Sequence, residues 1–294
     1  MKKTALYVLI GIGLLGCGSD DSRPGVMPGL PPGGTVQPTP PNQGGSTPNQ
    51  PPTDSSTPPP GPGNTNEGST SESLAGIYTG TTGRNQTVKG IIDQDNNIWF
   101  VYGDNADLDI NTGFINANLK AVNSEINGEG RDYASIDDSA DKVTIKGSYQ
   151  NKVMLSGTLI PEGSKISDSY SLSYNNQLSS PQQSLARIAN KTFNGNVYIS
   201  KGGVDSARIT VNSDGSFSGS SVEGCKVSGD LSFPQKNTKS AMYFVSTVRL
   251  GNAPCYPANQ IFKGVGHLDA TNELIVVGID DNKRRGLIFG GQGS

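Results

Sequence analysis

One histidine and three cysteines are present among 294 residues, so carboxylates and thiols dominate the reactive chemistry of this chain. Asp107, Asp109 and Asn111 place oxygens on alternate residues, the spacing of a calcium loop. An EF-hand then needs Gly at its sixth place and Glu at its twelfth, where Thr112 and Asn118 stand. The segment reads first as an acidic turn and only weakly as a metal site. Asp137, Asp138 and Asp141 could supply the paired carboxylates of a glycoside hydrolase, one of them held neutral as general acid. Their turn-rich surroundings favour a solvated loop. His267 has no second histidine with which to share a metal or build a relay, so it reads as a strand residue. Lys283-Arg284-Arg285, after Asp280 and Asp281, reads as a charged hairpin tip, with a local anion contact as the alternative. Trp99, Phe100 and Tyr102 suit a buried face, with an aromatic ligand platform as the second reading. No nucleophile elbow, P-loop, dinucleotide fingerprint or zinc motif occurs, so no catalytic residue is assigned and no cofactor is expected.

The N-terminus carries chemistry of another kind. Met1-Lys2-Lys3 is a positive start, and the apolar run Ala5 to Gly16 is too short to cross about 30 Å of hydrocarbon as a helix. This is the layout of a secretory signal peptide, residues 1–16. It ends in Leu14-Leu15-Gly16-Cys17, which resembles the lipobox of bacterial lipoproteins. The resemblance implies that the Cys17 thiol receives diacylglycerol, that the leader is cut before it, and that the new amine is acylated too. Each buried CH2 contributes about 0.8 kcal/mol, so two or three chains hold almost permanently where one binds reversibly. Gly18, not Asp, follows Cys17. By resemblance to the sorting rule of enteric bacteria, this favours a bacterial outer-membrane location, on the periplasmic or the cell-surface face. The expected partners are the membrane, through the acyl chains, and another envelope or surface protein. A net charge of -3 and a pI near 5.2 argue against electrostatic binding of nucleic acid.

With Cys17 assigned to lipid, Cys225 and Cys255 remain. Even parity in an exported chain suggests a disulfide, with two free thiols as the alternative. Their flanks, Glu223-Gly224 and Ala253-Pro254 with Tyr256-Pro257, are turn-like and suit a staple between loops.

The elements that carry these groups are unevenly distributed. Hydrophobic residues are 33% and charged residues 17% of the chain, both low for a globular domain. Between Gly18 and Glu72 lie 14 of the 19 prolines, and only Val26, Met27, Leu30 and Val36 are hydrophobic there. Such a stretch cannot bury enough apolar surface to offset chain entropy, so it reads as disordered with polyproline II character. As a coil it spans about 40 Å, and fully extended about 170 Å.

From Leu74 onward, short β segments alternate with Gly, Asn and Asp turns. Eight candidate strands precede residue 180 and eight follow residue 191. Hairpin turns are marked at Asp95-Asn96-Asn97 and Asn212-Ser213-Asp214-Gly215. Ser180 to Asn190 reads as one short helix, capped by Ser180 with Pro181 at its first position. The fold class is therefore all-β: two similar antiparallel β-meander or small-barrel halves joined by a short helix, preceded by a disordered Pro/Gly-rich linker. The boundaries are 1–16 signal peptide, 17–73 lipidated Cys and linker, 74–179 first β-domain, 180–191 connecting helix and 192–294 second β-domain. Internal duplication is suggested by Ser73-Leu74-Ala75 against Ser184-Leu185-Ala186. It is also suggested by Gly147-Ser148-Tyr149 with Leu155 to Leu159 against Gly215-Ser216-Phe217 with Val227 to Leu231. Apolar-out strands with aromatic girdles, the mark of a transmembrane barrel, are missing.

The segments Leu74 to Thr82, Val88 to Asp93, Trp99 to Gly103, Gly130-Arg131-Asp132-Tyr133, Phe217-Ser218-Gly219, Gly224 to Gly229, Ala253-Pro254-Cys255 and Gly286 to Gly290 resemble a family of uncharacterised exported lipoproteins of proteobacteria. The likeness spans most of residues 74 to 291. It implies architecture and transfers no catalytic residue. A vaguer likeness is to surface lipoproteins whose barrels end in Gly-x-Phe-Gly and bind host proteins. The expected function is a lipid-anchored envelope protein presenting β-rich binding or structural domains on a flexible arm. The alternatives are a glycan-active enzyme of the envelope and a calyx that carries a small apolar ligand.

Overall fold

The computed structural model describes residues 71–103, 113–134, 140–200, 202–235 and 238–294. Cys17, the linker up to Thr70, the Asp107, Asp109 and Asn111 set, and Asp137 with Asp138 lie outside them.

The first eight strands are β1 (Gly76–Thr82), β2 (Thr87–Ile92), β3 (Asn97–Gly103), β4 (Gly113–Val122), β5 (Glu125–Ala134), β6 (Asp141–Gln150), β7 (Met154–Pro161) and β8 (Asp168–Tyr174). Each pairs antiparallel with the next, and β1 pairs with β8, so the sheet closes into a barrel. The second eight are β9 (Thr192–Ile199), β10 (Gly203–Val211), β11 (Ser216–Ser221), β12 (Lys226–Ser232), β13 (Phe244–Leu250), β14 (Ile261–Leu268), β15 (Glu273–Asp280) and β16 (Gly286–Gly293). They repeat the up-and-down order and close through β16 and β9. Closure removes the exposed edges that a flat sheet of such strands would present.

Local sequence explains the hairpins. Asn96, with φ of 59°, turns the chain between β2 and β3 in the left-handed region that Asn tolerates. Its buried amide also accepts from Leu74 N at 2.7 Å and donates to Glu72 O at 2.7 Å, which seats Leu74 in the end of the first barrel. Gly215, with φ of 88°, does the same turning work between β10 and β11. The two hairpins share one register: Asp93 N donates to Asn97 O, and Asn212 N to Ser216 O.

The connection between the barrels differs from the single helix expected over 180–191. Two one-turn helices form, α1 (Asn176–Ser179) and α2 (Leu185–Ile188). Pro181 forbids helical geometry to the residue before it, and Ser180 is extended at φ -67°, ψ 149°. The true side-chain cap is Asn175, which accepts from Leu178 N at 2.9 Å; Ser184 begins α2 without one. Between the helices, Gln183 is buried and bridges to Ala241, and its side chain exchanges two 3.0 Å hydrogen bonds with the Leu268 backbone. Ile188 then plugs the floor of the second barrel.

The motifs that suggested duplication do not fall at matching positions. Leu74 is buried two residues before β1, whereas Leu185 begins α2 seven residues before β9 and packs partly buried against the core of its barrel. Tyr149 lies on β6, the sixth strand of its barrel, whereas Phe217 lies on β11, the third of the other. Gly-Ser-aromatic is ordinary strand text and does not mark equivalent positions here.

A third apolar cluster joins the barrels. Ile77, Ile91, Trp99, Val101, Phe114 and Tyr133 meet Tyr198, Tyr243, Val265, Ile275, Val277 and Ile288. Phe114 stacks on Tyr133 at 4.7 Å and on Trp99 at 6.0 Å. Hydroxyls fasten the seam: Tyr198 donates to Ala134 O at 2.8 Å and Tyr133 to Lys283 O at 3.1 Å. Trp99 is thus core, as its first reading held, and Phe100 and Tyr102 pack into the interior of the first barrel.

Candidate functional site

The strand period of two separates what each barrel encloses from what it shows. In the second barrel, β10 sends Asp205, Ala207, Ile209 and Val211 inward, and β11 sends Phe217 and Ser221. Val197 and Ile199 of β9, Val248 and Leu250 of β13, and Leu287 and Phe289 of β16 complete the wall. Lower down, Phe193, Phe244, Phe262 and Leu268 fill the barrel with Ile188. The upper half stays open. The centre of a water-sized sphere can reach about 90 Å³ of it, and about 10–15 Å³ on that measure holds one water. Eight-stranded barrels are just wide enough to be filled by side chains or to hold one small ligand.

The open end is built by sequence features already singled out. The Cys225–Cys255 disulfide forms, as the parity of the cysteines suggested. It ties the β11–β12 turn to the long β13–β14 loop, directly at the mouth. Cys255 is buried, and Pro254 and Tyr256 beside it line the cavity. The Arg285 guanidinium sits 5.6 Å from the centre of the Tyr256 ring. Val204, Val222, Tyr256 and Ile261 are exposed at the rim, half of the eight large hydrophobics exposed among the described residues. Apolar surface is therefore concentrated where a ligand would enter.

The other sequence candidates lie elsewhere. His267 is outward on β14, within the seam between the barrels, with neither ring nitrogen hydrogen-bonded among the described residues. Burial, then the Lys89 ammonium, push its pKa down to about 3, against a smaller upward pull from Asp269. Lys89 and Asp269 form an ion pair beside it at 3.7 Å. Lys283-Arg284-Arg285 forms the β15–β16 turn, where Asp280 accepts from Arg284 N at 2.7 Å and Arg285 N at 3.2 Å. Asp141 begins β6 opposite Asp132, whose carboxylate accepts from the Tyr102 hydroxyl at 2.5 Å.

Among the described residues two carboxylates have shifted acidity, and both shift downward. Burial raises Asp269, but hydrogen bonds from Thr271 and Glu273 and the charge of Lys89 outweigh it. Asp214 is lowered, chiefly by the Ser216 hydroxyl. A general acid needs the opposite shift. Among the described residues no three His, Cys, Asp or Glu side chains gather as a metal site. A depression along the seam passes Trp99, Tyr243 and Asn116, and several of its polar side chains already hold partners: Lys263 with Asp281, Asp93 with Asn97 and Asn116 with Ile98 O.

Of the lumen residues, sequence reasoning singled out only Cys225 and Cys255. Asp205 was hidden in Gly203-Val204-Asp205-Ser206, which has the texture of a loop. It belongs to β10 because Gly203 to Ala207 pairs with Ile199 to Gly195 across the sheet. Comparison with protein-family models, curated proteins and solved structures found no match.

Proposed function

We propose that this is a lipid-anchored envelope protein whose second barrel is a calyx for a small apolar ligand. The cavity of that barrel carries the reading: an apolar lumen, closed below by phenylalanines and open above at a disulfide-stapled rim. The acyl chains on Cys17 tether the chain to the outer membrane, and the Pro/Gly-rich arm holds the barrels away from it. The first barrel packs along the side of the calyx and supports it. The glycan-active enzyme gains no support from the downward-shifted Asp214 and Asp269.

The test is titration of an environment-sensitive apolar fluorophore into full-length protein carrying Cys17→Ser, which leaves no acyl chain to compete. Saturable binding is expected, and Ala207→Phe, which fills the lumen, abolishes it while circular dichroism is unchanged. Equal binding by both proteins would place the fluorophore elsewhere and remove the calyx.

A further inference from the structure

We propose that the calyx is selective for an apolar molecule bearing a protonated amine, received by the Asp205 carboxylate at the mouth. This rests on the calyx reading and specifies its ligand class.

The inward side chains of β10 form a graded series. Val211 is fully buried, Ile209 is 4% exposed, Ala207 is 9% exposed and Asp205 is half-buried at the top. Two residues along a strand advance by about 7 Å, so the carboxylate lies one side-chain layer above the apolar wall. A molecule that fills the lumen with its apolar body brings its head to that layer.

The carboxylate is positioned, and no ion pair among the described residues neutralises it. Its Oδ2 accepts from Glu223 N at 3.1 Å, which orients the group from the β11–β12 turn, and Oδ1 makes no hydrogen bond among the described residues. Neither Asp205 nor Glu223 enters an ion pair among the described residues. Both line the cavity, and no Lys, Arg or His is among the described residues that do. The nearby cation, Arg285, faces the Tyr256 ring. A half-buried carboxylate without a counter-charge attracts a cationic donor and repels an anion, more strongly than it would in bulk water.

Three six-carbon probes separate the outcomes: hexylamine, hexan-1-ol and hexanoate, titrated calorimetrically at pH 7 into the full-length Cys17→Ser protein. A hydrogen bond to a charged group adds roughly tenfold or more in affinity, so hexylamine is expected to bind on the order of tenfold tighter than hexan-1-ol, with hexanoate weakest. Asp205→Asn is expected to bring the amine down to the level of the alcohol and leave the alcohol unchanged. Equal binding of amine and alcohol by the parent protein overturns the proposal, as does an amine preference that survives Asp205→Asn. Tightest binding by hexanoate also overturns it and moves the recognising charge to Arg285. If no probe binds, and the fluorophore fails as well, the calyx itself is refuted. If the fluorophore binds and no six-carbon probe does, the calyx stands and the amine selectivity falls.

Discussion

The two barrels share strand number, order and closure, yet one is filled and the other is hollow at one end. The difference lies in which side chains point inward. Tyr78, Tyr102, Tyr149, Tyr170 and Tyr174 all pack into the interior of the first barrel, whereas no tyrosine belongs to the interior cluster of the second. The equivalent hairpins make the contrast position by position: inward Ile98, Phe100 and Tyr102 on β3 correspond to Phe217, Gly219 and Ser221 on β11. Tyr102 lies against Gly113 and reaches Asp132, whereas Ser221 stops short and leaves the lumen open. Eight strands enclose about the same space in each case. A few large-to-small exchanges at one end turn a packed core into a container.

Matched leucines should expose this contrast most strongly. Leu172 is fully buried in the first barrel, and Leu250 lines the cavity of the second. Leu172→Ala should cost about 3–5 kcal/mol in urea denaturation, because a new void opens in packed surroundings, and Leu250→Ala about 2 kcal/mol, because one side already lacks neighbours. Equal losses would erase the distinction between filled and hollow.

The disulfide is confined to the second barrel and should matter next most. Replacing Cys225 and Cys255 by Ser removes a cross-link across a separation of 30 residues, at about 3–4 kcal/mol in the chain-entropy model. Hydrogen exchange should rise at β11 to β14 and stay constant in the first barrel. Uniform loosening of both barrels would show them to be a single cooperative unit.

A smaller effect, dependent on pH, comes from the seam where the barrels meet. His267 is held neutral, with a folded pKa of about 3 against the ordinary 6.5. Above pH 6.5 neither folded nor unfolded chain binds the proton, and the residue contributes no pH dependence. Below 6.5 the unfolded chain takes up the proton and the folded one does not. Stability is therefore lost as pH falls, by about 1.4 kcal/mol per unit until the folded pKa is reached. At pH 5 this amounts to about 2 kcal/mol. Lys89 and Arg187 oppose protonation and Asp269 favours it. His267→Leu should flatten this acid limb relative to wild type, read by the fluorescence of Trp99, which sits in the same seam and is the sole tryptophan. A variant with the same acid slope as wild type would assign the loss to other groups.

Much of the architecture was legible because it is local. Each of the sixteen strands contains a run that the sequence marks as β, although β10 starts earlier, at Gly203, in loop-like text, and Asp93 to Asn97 and Asn212 to Ser216 form the marked hairpins. The helix was misread because Ser180 and Pro181 resemble a cap and first turn, while the long-range bond between Gln183 and Leu268 draws the next residues into extended form. The seam was illegible for a related reason. Trp99, Phe100 and Val101 are all buried, so the alternation that tells inside from outside is lost where both faces of a strand are covered.

By itself, the sequence determined the β texture, the count of strands, the even cysteine pair and the proline-rich stretch, since each depends on residues near one another along the chain. Only tertiary structure decided that β1 meets β8 and β9 meets β16, that His267 has no hydrogen-bond partner among the described residues, and that Asp205 lines the mouth of an apolar lumen. Barrel closure joins residues about a hundred positions apart. A cavity is the space that inward side chains from many strands fail to fill, which no local pattern records.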